Sequence, residues 1–272
     1  GQLKEKMNFS NGKLEGAYEE YFENGQLLTK YINKKGKTAG AVPYYDKDGK
    51  LYSTVTFEKD IIKSANYLDK SGREIANYER KDKLFRVLSY TPMGEKFKDN
   101  TYNEKGETNG EEIGYFRSGD IYSKVNYENG VLKGPYQTFY SNGNKRVDAL
   151  MEDDKKNGFY KDYFAHGQLQ SMGWYTNDEL NGEWRYFDEQ GHLTSVSYFL
   201  NNELSGYKEL FWINGKKYME IKSSEGWLTE MTQYDTLGNI LRKDSFPGGS
   251  GKYVLVYPNG KKSAEGEFVA GT

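Results

Sequence analysis

A glycine that follows a short polar residue recurs along this chain at Gly25, Gly49, Gly72, Gly94, Gly119, Gly143, Gly167, Gly191, Gly215, Gly238 and Gly260, spaced 22 to 25 residues apart. Four positions before these glycines stand Tyr21, Tyr45, Leu68, Tyr90, Tyr115, Phe139, Tyr163, Phe187, Phe211, Tyr234 and Val256, all apolar and nine of them aromatic. Self-similarity at such a period marks a repeat architecture, in which one unit buries its apolar face only against the next. Eight positions after the glycine come Phe57, Tyr102, Tyr127, Met151, Tyr175, Phe199, Phe246 and Phe268, with Asn33, Arg80 and Ser223 as exceptions. A second turn-like cluster follows about eleven residues after the glycine, as in Asn129-Gly130, Asp153-Asp154 and Asn201-Asn202. Each unit therefore reads as two strands of roughly seven residues, each closed by a turn.

The first turn can be typed from its residues. Pro92 and Pro258 lie two before the glycine, Asn or Asp often lies one before it, and Asp or Thr often lies three before it. Pro at that second position cannot take the positive φ of a two-residue primed turn. The composition fits a type I turn ending in a left-handed glycine bulge. Such a loop pairs the residue four before the glycine with the one two after it, for example Tyr21 with Leu27. Simple alternation then carries the later anchors, such as Tyr127 and Tyr175, onto the same face as Tyr21 and Phe139.

The expected fold is all-β: an elongated, twisted antiparallel sheet of about eleven tandem β-hairpin repeats, solenoid-like, with nearest-neighbour contacts. It is read as a single repeat array over residues 1–272, regular at about 9–63 and 111–222 and degenerate at about 64–110 and 223–250. In the degenerate stretches the array is expected to bend or lose its regularity. Composition agrees with this reading. Phe plus Tyr (39) equals Leu plus Ile plus Val (39), and Gly is 31 against 5 Pro. Rings favour strands and glycines favour tight turns.

The pattern resembles the bacterial variant of the MORN repeat, whose units run glycine, aromatic pair, Asn-Gly, Leu, aromatic. It is clearest from Gly134 through Tyr136, Phe139, Tyr140 and Asn142 to Gly143, and from Gly16 through Tyr18, Tyr21, Phe22 and Asn24 to Gly25 and Leu27. The resemblance spans about Phe9 to Phe268. It implies a hairpin array that binds or scaffolds and has no chemistry of its own, as in YwqK-like antitoxins and in exported proteins of host-associated bacteria. The phosphoinositide association attached to the older repeat name gains little from this near-neutral chain.

Composition and motifs exclude several function classes. With 38 basic and 40 acidic residues there is no electrostatic footprint for nucleic acid. No apolar run is long enough for a membrane-spanning helix. Zero Cys removes disulfides, thiol nucleophiles and Cys-based zinc sites. The two histidines, His166 and His192, flank turn glycines with no third ligand in view, so no metal is expected. Gly248-Gly249-Ser250-Gly251-Lys252 lacks the first glycine of a phosphate loop, and Lys50 breaks the calcium-loop pattern of Asp46-Lys47-Asp48-Gly49. Glu111-Glu112 and Asp153-Asp154 are neighbours that point to opposite faces of a strand. No catalytic set and no cofactor site emerges, and no enzyme is expected.

The candidate binding residues lie three and seven positions before the turn glycine, on the face opposite Tyr21 and Phe139. Densest are Tyr136, Tyr140, Tyr160, Phe164, Trp184 and Trp212, a ladder of rings that would grip a protein or glycan partner. The alternative is that a curled sheet buries these rings against its own neighbours. The leading expectation for function is a non-enzymatic binding or scaffold module, exported or cell-surface ahead of cytoplasmic, with an intracellular YwqK-like antitoxin as the alternative. The chain begins at Gly1 without a charged-then-apolar leader, so a processed or trimmed start is expected. Unpaired terminal strands suggest an edge-paired homodimer.

Overall fold

The computed structural model describes residues 3–270. All eleven glycine turns take the expected form. In the turn before Gly143, the Gly143 N–H donates to Tyr140 O at 2.9 Å and the Tyr140 N–H to Asn144 O at 2.8 Å, with Gly143 at φ +85°. Only a residue free of Cβ strain adopts that angle at low cost. The predicted pairs Tyr21↔Leu27, Phe139↔Lys145 and Tyr234↔Ile240 all form. The second turns are two-residue loops with both φ positive, as at Asp153 (+49°) and Asp154 (+65°), closing Glu152 against Lys155. Asn and Asp tolerate this left-handed conformation, which matches the strand twist of a primed hairpin. Three second turns depart: Asn103 to Gly106 repeats the glycine-bulge form, with Gly106 N–H donating to Asn103 O, and the links after Glu79 and after Ser245 are not two-residue loops.

The chain divides into two compact units, 1–132 and 133–272. In the first, Glu5–Lys6, Gly16–Tyr21, Leu27–Lys34, Lys37–Tyr45, Leu51–Glu58, Ile61–Leu68 and Glu74–Glu79 form a seven-stranded antiparallel sheet in that order. The strand ladder ends at Glu79, with the Arg80 N–H still donating to Lys63 O, and a new one starts at Phe85–Tyr90, which pairs onward through Lys96–Tyr102, Gly110–Tyr115 and Ile121–Glu128. The interruption falls inside the stretch read as degenerate. Phe85 and Val87 pack on Val55, Ala65 and Tyr67 there, the main buried cluster of the unit. Arg80 stitches the break: its Nε donates to Ile62 O, one Nη to Lys83 O and Asn103 O, and its guanidinium lies 4.9 Å over Phe85.

Val131–Phe139, which runs across the boundary into the second unit, and then Lys145–Glu152, Lys155–Tyr163, Leu169–Thr176, Glu179–Phe187, Leu193–Leu200, Glu203–Phe211, Lys217–Ser224, Trp227–Tyr234 and Ile240–Ser245 pair consecutively. A 3-10 turn at Pro247–Gly249 then leads to a separate hairpin, Gly251–Val256 with Lys262–Phe268. That second break also falls where the repeat degenerates.

One expectation is corrected. The later anchors do not share a face with the earlier ones. Beside every glycine turn the ladder slips: Thr138 pairs with Val147, but Phe139 pairs with Lys145. A bulge of this kind inserts one residue and reverses the alternation beyond it. Phe139 thus shares a face with Gln137 and Lys145, whereas Val147, Ala149 and Met151 share a face with Thr138, Tyr136 and Gly134. The contacts agree, since Tyr175 touches Tyr160 and Trp184, residues seven before their glycines. Both faces are consequently half-covered, and neither is a uniform apolar sheet surface.

Candidate binding surface

The two faces of the second unit carry different kinds of aromatic residue. On the face that holds Tyr136, the register runs Tyr136, Ala149, Tyr160, Gly173 across successive strands. Gly173 leaves a gap that the Trp184 indole fills, so closely that a Cβ at residue 173 would stand 2.3 Å from the ring. Trp184 is only 2% exposed, and its Nε1 donates to Trp174 O at 3.1 Å. Tyr160 and Tyr175 close around it with centroids 5.9 and 5.1 Å from the indole, and Tyr186 stacks at 6.2 Å. The Lys156 ammonium lies 4.6 Å from the Tyr175 centroid. Burial, with Asp162 adding to it, pushes the Tyr160 phenol up to about 12.

Of the six sequence candidates, Trp184 therefore offers no ring face to a ligand, and the self-burial alternative describes it. Tyr136 and Tyr160 are half-buried in the same ladder. The other three form a row along the turns. Tyr140 donates its hydroxyl to Tyr163 O at 2.7 Å, Phe164 stacks on His166 at 5.7 Å, and Trp212 packs on Tyr218 at 4.9 Å. The Trp212 Nε1 is buried without a partner among the described residues. The same row staples turn to turn: Asn142 Nδ2 donates to Ala165 O, His166 Nε2 bonds Glu189 O, and Asn214 Nδ2 donates to Thr236 O. His192 is occupied by Asp188, so neither histidine is poised as a ligand pair, and among the described residues no three potential metal ligands converge.

Sequence reasoning missed two open rings in the middle of the second unit. Trp174 is 52% exposed and Tyr198 41%. Both sit seven residues after a turn glycine, on the face of Phe139, where they oppose Phe159 and Glu183. Tyr198 lies 6.2 Å from Tyr207, whose hydroxyl donates to Glu183 Oε2 at 2.8 Å, while Arg185 Nε donates to Glu183 Oε1 at 2.7 Å. Those two donors hold the Glu183 carboxyl below its ordinary value, and the carboxylate raises the Tyr207 phenol. The result is an outward patch of rings around a fixed carboxylate and guanidinium. The signal that would have found it is the position itself, seven after the glycine, which the +8 anchors overshadowed. Among the described residues no helix is long and apolar enough to cross a membrane.

Comparison with known proteins yields three family segments. The model described as MORN repeat variant matches residues 14–32, 108–129 and 180–201. Each segment encloses one leading glycine of positive φ, Gly16, Gly110 or Gly182, together with its hairpin. No curated protein matches. Among solved structures, a Glycosylation Associate Protein (Gap123) complex from Streptococcus agalactiae is similar at 17% identity and a TM-score of 0.25, over 37% of this chain and 18% of that one. A crystal structure titled TcdB2-TccC3-TEV and a Photorhabdus luminescens Tc holotoxin pore are similar at 12% identity over 90% of this chain, with TM-scores of 0.23 and 0.22. This chain spans 16% to 18% of the length of those chains. The chain is thus an all-β protein of tandem hairpins, three segments of which match the MORN repeat variant.

Proposed function

We propose that this chain is a non-enzymatic module that holds a protein or glycan partner, and that the outward patch of Trp174, Tyr198, Tyr207, Glu183 and Arg185 is its principal contact. The observation that carries this reading is the exposure of Trp174 and Tyr198 beside a charge pair already fixed by hydrogen bonds. Large rings left in water are costly unless they serve contact, and rings beside preorganised polar groups are the usual composition of binding hot spots. Strand spacing of about 4.8 Å puts Trp174 and Tyr198, two strands apart, roughly 10 Å from each other. The turn row of Tyr140, Phe164 and Trp212 would extend the contact along the hairpin tips.

The test is Trp174→Ala with Tyr198→Ala against wild type, in affinity capture from host and bacterial extracts and on an immobilised glycan panel. Loss of a partner with the fold retained supports the patch, and which experiment shows the loss decides between protein and glycan. Capture unchanged in the double variant would remove the patch as the contact. Export is part of the same reading, as is pairing of two copies along the edge strand Lys262–Phe268; sedimentation across a concentration series reads the latter. The antitoxin alternative gains nothing from the matched segments, which carry the repeat alone.

A further inference from the structure

The three units that lack an apolar anchor eight residues after the glycine solve the vacancy differently. At Arg80 the guanidinium fills the space against Phe85, and at Asn33 the side chain itself is buried. At Ser223 the space stays open. Ser223 pairs with Gly206 on one side and Leu228 on the other, as Phe199 pairs with Gly182 and Leu204 one unit earlier. The rings that close this position upstream are also missing. Where Tyr160, Tyr175 and Trp184 touch one another, the equivalent residues are Lys208, Ser223 and Met231. A cavity of about 580 Å³ results, with Leu204, Ile221, Leu228 and Met231 among its walls.

Trp227 and Phe268 flank its mouth. The Trp227 indole lies against Gly249, where an added Cβ would come within 3.0 Å, yet the side chain is 45% exposed and Phe268 is 40% exposed. Two carboxylates, Glu203 and Glu225, complete the rim, and neither has an ion pair among those found in the described residues. Lys208 is not part of the lining. A concave apolar site with a few polar groups at its edge is the ordinary form of a small-molecule site. Aromatic faces next to unpaired carboxylates favour a cation.

We propose that this cavity binds a small ligand made of an aromatic ring and an ammonium group, the ring taking the place that Tyr175 and Phe199 occupy in their own units and the ammonium meeting Glu203 and Glu225. The site lies on the face of Trp184, away from the outward patch, and its existence does not depend on that patch being a contact.

Phenethylamine is the probe, with phenylacetate as the same ring carrying the opposite charge, both titrated by calorimetry into the full chain. Phenethylamine saturates one site, and phenylacetate binds at least about tenfold more weakly because like charges repel at the rim. Ser223→Phe restores the ring of the neighbouring units, so it abolishes phenethylamine binding while the melting temperature stays level or rises. Should that variant fail to fold, Glu203→Gln with Glu225→Gln provides an independent reading, since it lowers phenethylamine affinity about tenfold and narrows the difference between the two probes. No saturation by 10 mM probe, or equal binding of amine and acid, or full binding by a folded Ser223→Phe variant, overturns the proposal.

Discussion

Trp184 and Trp174 are ten residues apart, joined by one hydrogen bond, and opposite in role. Trp184 fills the gap above Gly173 and is packed by Tyr160 and Tyr175, so Trp184→Ala empties a buried site. Substitutions of buried large rings of this kind cost about 3–5 kcal/mol, and denaturant unfolding should show a loss in that range, with a loss under about 1 kcal/mol sinking the packing argument. Gly173→Ala attacks the same contact from the backbone side, and with a Cβ 2.3 Å from the ring it too should destabilise. Trp174→Ala removes a half-exposed ring and should change stability by about 0.5 kcal/mol or less. Partner capture, by contrast, should respond to Trp174 far more than its stability effect would suggest.

Hairpins are the elements, and their turns carry much of the specification. The side chain one before the turn glycine reaches the next turn along the array, so Asn142 both caps its own loop through Asn144 N and binds Ala165 O. Asn142→Ala loses both bonds at an exposed site. A cost of about 0.5–1.5 kcal/mol is expected, together with faster amide exchange at Gly167 and its neighbours; unchanged exchange there would show that the staple is decorative. These turns were readable in the sequence because Pro92, Pro258 and the run of Asn and Asp residues fix φ directly. The further slip of the ladder in the strand after each glycine turn was not readable. It leaves no residue signature, since Arg146, the extra residue opposite the Thr138–Phe139 step, is an ordinary strand residue, and yet the equivalent slip at Gln170, opposite the Asp162–Tyr163 step, decides which face Tyr175 occupies. The burial of Trp184 was hidden for a related reason: Gly173, the residue that makes room for it, belongs to the preceding hairpin.

Across the whole molecule the legible part was the period, and the illegible part was how two half-covered faces share their rings. Tyrosine, with its apolar body and polar tip, serves on either face, so its spacing announces strands without saying which rings are buried. That choice has a solution consequence. Burial is the first cause holding Tyr44, Tyr78 and Tyr160 up to about 12, and it pushes Tyr67 upward as well. In the unfolded chain these phenols ionise near pH 10. Because their folded values are raised, their contribution to stability is complete below pH 10 and is lost as pH climbs from there through about 12. Lys217, raised by Glu220 and Glu209 against the opposing effect of burial, loses its contribution in the same direction at still higher pH. An absorbance titration at 295 nm should therefore show a first group of tyrosines ionising near pH 10 and a second group delayed toward pH 12, the delayed group coinciding with loss of the β-sheet circular dichroism signal. Tyr67→Phe and Tyr160→Phe together should shrink the delayed group and move the alkaline unfolding midpoint upward. A single titration near pH 10 for all phenols, with the sheet signal intact throughout, would mean that the rings of both faces are open to water and that the buried ladder around Trp184 does not exist in solution.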